Sequence, residues 1–296
     1  MVKPKLLLTL AICSSFLASC TTKPVVNICP QPVPVVAQVV NPVDAHAHER
    51  LNAVLWMQTS AEYTALASSA YNQAKSAVDA GIKNKKWTAA LEQTENYTKL
   101  PPAIILDVDE TVLNNLSFQA QLIKERKEFN QETWTQWIHK ASAIPVPGAS
   151  EFLAYAASRG VTIFYVTNRE ATQEADTRIN LEKYKMPLRN DIDVILSKNE
   201  NEWKASDKSA RRSYVSKNFR IIALIGDDLG DFVAGAYDTP EKRVDVATAN
   251  SKYWGSKWFL IPNPVYGSWD ASIFNHNYKT PPAEVLDLKF KKLISN

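Results

Sequence analysis

The chain has 296 residues, 45% of them apolar and 22% charged, with a formal net charge of +3. That balance gives no case for nucleic acid as a partner, and the length is ample for a buried core. Only 8 glycines occur, and no Gly-x-x-x-x-Gly-Lys loop, Gly-x-Ser-x-Gly elbow or His-Glu-x-x-His helix is present; NTPase, serine hydrolase and zinc peptidase readings therefore lack support.

The amino terminus combines a basic head, Met1-Val2-Lys3-Pro4-Lys5, with an apolar run from Leu6 to Leu17 broken by Thr9, Ser14 and Ser15. A spanning helix needs ~20 residues, so this shorter run predicts a secretory signal over residues 1–19. It closes in Leu17-Ala18-Ser19-Cys20, which resembles the bacterial lipobox. The resemblance implies cleavage before Cys20, a diacylglycerol thioether on its sulfur and an acylated new amino terminus. Thr21 in place of Asp resembles lipoproteins forwarded to the outer membrane, so a lipid anchor there is expected; several acyl chains hold firmly where one binds only marginally. Cleavage removes Lys3 and Lys5 and no acid, taking the formal charge from +3 to +1. Cys13 departs with the signal and Cys20 carries lipid. Cys29 is then without an intramolecular partner, and no disulfide framework is expected.

Residues 20–45 hold Pro24, Pro30, Pro32, Pro34 and Pro42 without helical period and read as a lipidated, extended tether. His46 and His48, beside it, read as solvated. Tyr63, Leu66, Ala67, Ala70, Tyr71, Ala74, Ala77 and Val78 form a helical stripe, predicting a long amphipathic helix. Ala103-Ile104-Ile105-Leu106 then reads as a buried parallel strand. It delivers Asp107 and Asp109 to its carboxyl end, because residues two apart on an extended strand point the same way. Open α/β sheets place their ligand crevice at such ends, and two close carboxylates call for a cation or a shared proton.

Leu113 to Ala143 is polar and aromatic, with Phe118, Phe129, Trp134 and Trp137; the two tryptophans read as packing from their three-residue spacing. A helix over 150–159 stopped by Gly160, a strand over 161–166, and a polar helix from about Thr172 to Tyr184 come next. Strands are predicted at 194–196 and 221–225, with another at 258–261 beyond a loop and helix that start at Asp227. The alternation predicts an α/β fold: a mainly parallel sheet with helices on both faces.

Four of these segments carry acids, a threonine or a lysine in order: Asp107-Val108-Asp109-Glu110-Thr111, Thr167-Asn168-Arg169, Lys208 in Asp207-Lys208-Ser209-Ala210-Arg211, and Gly226-Asp227 to Asp231-Phe232. In this the chain resembles the haloacid dehalogenase (HAD) superfamily. With Gln58-Thr59-Ser60-Ala61-Glu62-Tyr63 and Pro262-Asn263-Pro264-Val265-Tyr266-Gly267-Ser268-Trp269, it resembles more closely the bacterial class C acid phosphatases and lipoprotein 5′-nucleotidases.

The resemblance implies a HAD-like Rossmannoid domain over 46–296, with a small, mostly helical cap from about 46–100 and 113–146. It implies hydrolysis of small phosphate monoesters, nucleoside 5′-monophosphates or NMN foremost. Asp107 would be the nucleophile and Asp109 the acid and base. Mg²⁺ would be held by the Asp107 carboxylate, the Asp109 main-chain carbonyl and Asp227, with Asp231 assisting. Thr167, Asn168 and Lys208 would bind the phosphoryl group, Lys208 being preferred to Lys204 for its Lys-x-x-Arg spacing to Arg211. Phe118 and Tyr266 would stack on the organic part of the substrate.

Asn114, Asp228 and Gly230 depart from the family pattern, and Asp228 is expected to add negative charge beside the metal. A competing expectation is a surface lipoprotein that binds a nucleotide or haem-like ligand without catalysis. Retention of both Asp107 and Asp109 argues against it, since binding alone needs no nucleophile paired with an acid. The sequence leaves the oligomeric state open, a homodimer among the options.

Overall fold

The computed structural model describes residues 49–295. The expected signal sequence, the tether, Cys20, Cys29, His46 and His48 lie outside the described residues. The first elements are α1 (Leu51–Thr59) and α2 (Ala61–Lys83). The predicted stripe is α2, except that Leu66 is half exposed. Ser60 separates the two helices: its backbone is extended, and its hydroxyl accepts from the Tyr63 amide at 3.1 Å, satisfying a donor that the helix start leaves free. The periodicity does not announce α1, which buries only Val54 and Met57.

Next come β1 (Pro102–Leu106) and an inserted segment: β2 (Leu113–Asn114), α3 (Leu116–Glu125), α4 (Gln131–His139) and β3 (Ile144–Pro145), with β2 and β3 paired antiparallel. The chain continues through α5 (Ala149–Ser158), β4 (Thr162–Glu170), α6 (Glu174–Lys183), β5 (Ile195–Lys198), α7 (Ser209–Ser216) and β6 (Arg220–Gly226). It ends with α8 (Pro240–Ala249), β7 (Trp258–Leu260), α9 (Ser268–Ile273) and α10 (Pro282–Lys292).

The main sheet has the order β5-β4-β1-β6-β7, and every pairing in it is parallel. The chain works outward from β1 to β5, then returns to β6 on the other side of β1. That reversal puts the crevice at the carboxyl ends of β1 and β6. Ile104 and Leu106 of β1 join Ile163 and Tyr165 of β4 in a core with Tyr71 and Phe152. Ala103, Ile105, Phe164 and Val166 face the opposite core, with Val215, Phe232 and Trp258. Both faces are covered, which is why these strands read as apolar runs rather than alternating ones.

Two irregularities shape the site. Ala103 pairs with Ile221 and Ile104 with Ala223, so Ile222 is an extra residue in β6. A Cβ at Gly81 would stand 2.7 Å from the Ile222 Cβ, so glycine is what lets α2 lie against this strand. The second irregularity lies in β4, which runs to Glu170 rather than stopping at 166 and carries Thr167, Asn168 and Arg169 in extended backbone.

An acidic cluster lies away from the crevice. Burial lifts the Glu200 carboxyl to about 7, against the Ser197 amide at 2.9 Å; Asp193, which shares a hydrogen bond with it, and Glu174 push it further up. The folded state therefore binds this proton more tightly than the unfolded chain. The associated stability is fully present below about pH 4.5 and is lost as pH rises through about 7. Melting of wild type and Glu200→Gln across pH 4.5–7.5 should show the variant's advantage growing toward pH 7.5. A gap that stays constant over that range would exclude this titration.

Candidate active site

Asp107 comes directly after β1, its amide donating to the Ile225 carbonyl of β6 at 3.0 Å. Only 8% of the residue is exposed, and one carboxylate oxygen accepts from the Lys208 ammonium. Lys208 stands directly before α7 and also donates to Asp231 Oδ1 at 2.6 Å; Lys204 is exposed on the surface. Burial pulls the Lys208 ammonium down, but Asp107 and Asp231 together outweigh it and hold it above the ordinary lysine range. Burial lifts the Asp107 carboxyl to about 7, with Lys208 opposing and Asp231 and Asp109 adding to the rise. Burial likewise carries Asp227 well above the usual carboxylate range, and Asp107 and Asp231 push it further.

Asp107, Asp227 and Asp231 each offer a carboxylate oxygen within 4.8 Å of the others. Fully ionised, three carboxylates and one ammonium leave two negative charges in a buried space. An all-oxygen donor set with that surplus fits a hard divalent cation, whose charge would reverse the upward pKa shifts. Asp227 is oriented for this by Thr111 Oγ1 at 3.0 Å and Asn263 Nδ2 at 2.8 Å. Thr111 is itself anchored through its carbonyl, which accepts from the Tyr71 hydroxyl at 2.6 Å. Asp231 belongs to a 3₁₀ turn, Leu229–Asp231, rather than to a helical turn after Asp227, and its Oδ2 accepts from the Asp228 amide at 2.9 Å.

Asp109 is gripped by Arg169, which donates from Nη2 at 2.8 Å and from Nε at 3.0 Å to Oδ1, and from Nε to Oδ2 at 3.2 Å. Asn115 Nδ2 adds a third donor to Oδ1 at 2.8 Å. Oδ1 thus takes three donors and Oδ2 one long one, which leaves Oδ2 the less occupied oxygen. Asn115 is held in turn by the Trp137 indole N–H at 2.8 Å. Glu110 turns the chain directly after Asp109 with φ 57° and is fully buried. Burial lifts its carboxyl to about 7, and it accepts from the Tyr266 hydroxyl and, at 2.7 Å, from the Asn115 amide.

Thr167 is buried, its hydroxyl accepting from the Arg169 amide at 3.1 Å, and Asn168 is exposed at the cavity wall. Two consecutive arginines brace these loops. Arg211 donates to the Thr167 carbonyl and, at 2.7 Å, to Asn168 Oδ1; Arg212 donates to the Gly230 and Asp231 carbonyls at 3.0 Å. Asp228 accepts from the Ser268 amide at 2.7 Å, the Ser268 hydroxyl and the Gly230 amide at 2.9 Å. Its charge, expected beside the metal, is spent mainly on tying the 228–231 turn to the start of α9.

Asp107, Asp109, Asn168, Lys208, Asp227 and Asp231 line a cavity of about 710 Å³. Tyr266 lines it, as expected of a stacking residue, but Phe118 does not: it is 3% exposed and lies behind the wall. Phe129 and Trp134 line it beside α3, resting on Phe118 at centroid distances of 6.4 and 5.2 Å, and Tyr237, Phe274 and Tyr278 line it as well. The helical spacing of Trp134 and Trp137 marked both as packing. Only Trp137 is buried, because the first turns of α4 face the opening, where Trp134 covers the Arg169 guanidinium at 5.8 Å. Phe129 is half exposed in the loop before α4, where no periodicity distinguishes it. Arg169, Asn115, Thr111 and Asn263 all stand in or beside segments read from the sequence, but nothing local assigned them partners.

A parallel α/β sheet that gathers a lysine and at least three acids at the ends of β1 and β6 defines a phosphoryl-transfer centre of the HAD kind. The chain belongs to the HAD superfamily, subfamily IIIB (acid phosphatase), whose family model matches residues 14–269. It is similar to the class C acid phosphatase of Bacillus anthracis: 33% identical, TM-score 0.75, over 85% of this chain and 99% of that one. A second structure of that enzyme, with tungstate bound, is also 33% identical, with TM-score 0.74 over 84% and 98% of the two chains. The stem 31 kDa glycoprotein of Glycine max is 24% identical over 167 residues, 55% of this chain and 58% of that protein. The chain therefore matches little more than half the length of this plant relative.

Proposed function

We propose that the protein is a Mg²⁺-dependent acid phosphatase that hydrolyses nucleoside 5′-monophosphates and related phosphate monoesters through an aspartyl-phosphate. The observation that carries this reading is the buried Asp107 carboxylate, held by Lys208 beside Asp227 and Asp231 under an aromatic wall. Tungstate, a tetrahedral oxyanion like phosphate, binds the Bacillus anthracis enzyme, which supports an oxyanion site here as well.

In the first step an Asp107 oxygen attacks phosphorus, the ester P–O bond breaks, and Asp109 gives its proton to the departing alcohol. In the second step Asp109 takes a proton from water, the water oxygen attacks phosphorus, and the bond to Asp107 breaks to release phosphate. Thr167 and Asn168 would donate to the phosphoryl oxygens, and Lys208 would offset charge that builds in both transition states. Arg169 and Asn115 orient Asp109 so that Oδ2 is the oxygen exchanging the proton. Magnesium, held by Asp107, the Asp109 carbonyl and Asp227 with help from Asp231, would neutralise phosphoryl charge. Phe129 and Trp134, with Tyr266, offer ring faces on which a base would stack, worth about 1–3 kcal/mol each.

Assay of p-nitrophenyl phosphate, AMP and NMN with Mg²⁺ and with EDTA tests this. Turnover should require the cation and favour AMP or NMN over the aryl ester in kcat/KM. Absence of turnover on all three in Mg²⁺ would refute the reading.

We further place the enzyme at the outer membrane through lipid on Cys20, on the strength of Leu17-Ala18-Ser19-Cys20 and Thr21. Among the described residues no helix is long and apolar enough to cross a membrane. Cells fed radiolabelled palmitate should label the wild type and not Cys20→Ser; equal labelling of the two would remove the anchor from this picture.

A further inference from the structure

Gln119 is a buried polar residue for which the proposed mechanism has no use. It is 5% exposed, yet its side chain lines the catalytic cavity. Its Oε1 has no hydrogen-bond partner among the described residues and under 1 Å² of its own surface open to solvent. Buried polar atoms are almost always paired, and an unpaired one marks strain or a group that is waiting for a ligand.

The position of the amide points to the ligand. Gln119 lies one turn into α3, its main-chain N–H donating to the main-chain carbonyl of Asn115 at 3.2 Å, so its side chain leaves the helix on about the same face as that of Asn115. Asn115 reaches Asp109, and Gln119, four residues on, is displaced from Asn115 by about 6 Å along the helix axis. That step is about the width of an aromatic ring. The preceding residue, Phe118, supports both Phe129 and Trp134, so Gln119 borders the stacking wall. Ring faces select any aromatic group alike, whereas a primary amide can tell ring edges apart. Its oxygen and nitrogen exchange places on rotation about the last side-chain torsion, which has two broad minima. The amide can therefore turn its unpaired oxygen toward a donor that enters the cavity.

We propose that Gln119 is a specificity-determining residue that reads the edge of the stacked ring, accepting a hydrogen bond from an exocyclic amino or carboxamide N–H. The substrates so selected are nucleotides with an aminopurine, aminopyrimidine or carboxamide edge. This rests on the phosphatase reading, and p-nitrophenyl phosphate, which has no such edge, tests that reading separately.

The experiment compares kcat/KM for AMP and for purine riboside 5′-monophosphate, which lacks only the amino group. Wild type should prefer AMP about tenfold, the size of one buried hydrogen bond left unmade. Gln119→Met and Gln119→Ala should each bring that ratio close to one, while lowering AMP hydrolysis more than p-nitrophenyl phosphate hydrolysis. Equal rates of the two nucleotides with wild type would overturn the proposal without need of any variant. So would variants that lower all three substrates by one common factor, since that is the signature of a purely structural role. Wild type inert in Mg²⁺ toward p-nitrophenyl phosphate and both nucleotides alike would instead mark failure of the phosphatase reading.

Discussion

Asp107→Asn should lower turnover of p-nitrophenyl phosphate by at least about 10⁴-fold while leaving the fold intact. An amide oxygen is a poor nucleophile toward phosphorus, so the covalent step is lost rather than slowed. The fold should survive because asparagine has the same shape and Lys208 keeps its partner Asp231 at 2.6 Å. One of three crowded carboxylates is removed, so melting in EDTA should stay level with wild type or rise by a few degrees. Circular dichroism and a melting curve beside the assay separate the two parts of this result. Activity within tenfold of wild type would remove Asp107 as the nucleophile and place the chemistry elsewhere.

Lys208→Met should be the substitution most costly to stability within the site, and its cost should depend on cation and pH. The ammonium is the only cation that pairs Asp107 and Asp231 among the described residues, and all three groups are buried. Methionine fills much of the same volume and leaves both carboxylates unpaired. Breaking one side of a buried ion pair costs about 3–5 kcal/mol, or on the order of 10 °C in melting temperature for a chain of this size. Asp107, whose carboxyl burial already lifts to about 7 against the pull of Lys208, can escape by taking up a proton, and loss of the ammonium would lift it further. Such stability is present at low pH and lost as pH climbs, so the deficit should be larger at pH 8 than at pH 5. A divalent cation supplies the missing positive charge, so Mg²⁺ should raise the melting temperature of the variant more than that of wild type. Turnover should fall about 10²–10³-fold even with Mg²⁺, since charge in the transition state loses its ammonium. Equal melting of both proteins in EDTA at pH 8 would show that Lys208 does not carry this charge balance.

Much of the centre was legible because its residues sit at strand ends, where local pattern fixes position. An apolar run must be a buried strand, and the polar residues just beyond it must stand at the sheet's edge. In this way Asp107, Thr167 and Asp227 were placed from the chain alone. What local pattern misses is direction. Arg169 lies two residues past Thr167, but only pairing of β4 with β1 shows that its guanidinium reaches Asp109. Phe118 and Phe129 are equally aromatic in the sequence. Packing of α3 against α4 sends one behind the wall and the other into the opening.

The sequence by itself determined the parallel α/β architecture, the order of the four segments that meet at the site and the cluster of acids at the carboxyl end of β1. These arise from apolar runs, breakers and neighbouring carboxylates, all of which act over a few residues. The tertiary structure alone decided which rings face the cavity, how Asp109 is oriented, that Asp228 serves a turn, and that Gln119 Oε1 lacks a partner among the described residues. Each of these depends on contacts between segments far apart in the chain, whose geometry exists only once the sheet and its inserted helices have packed.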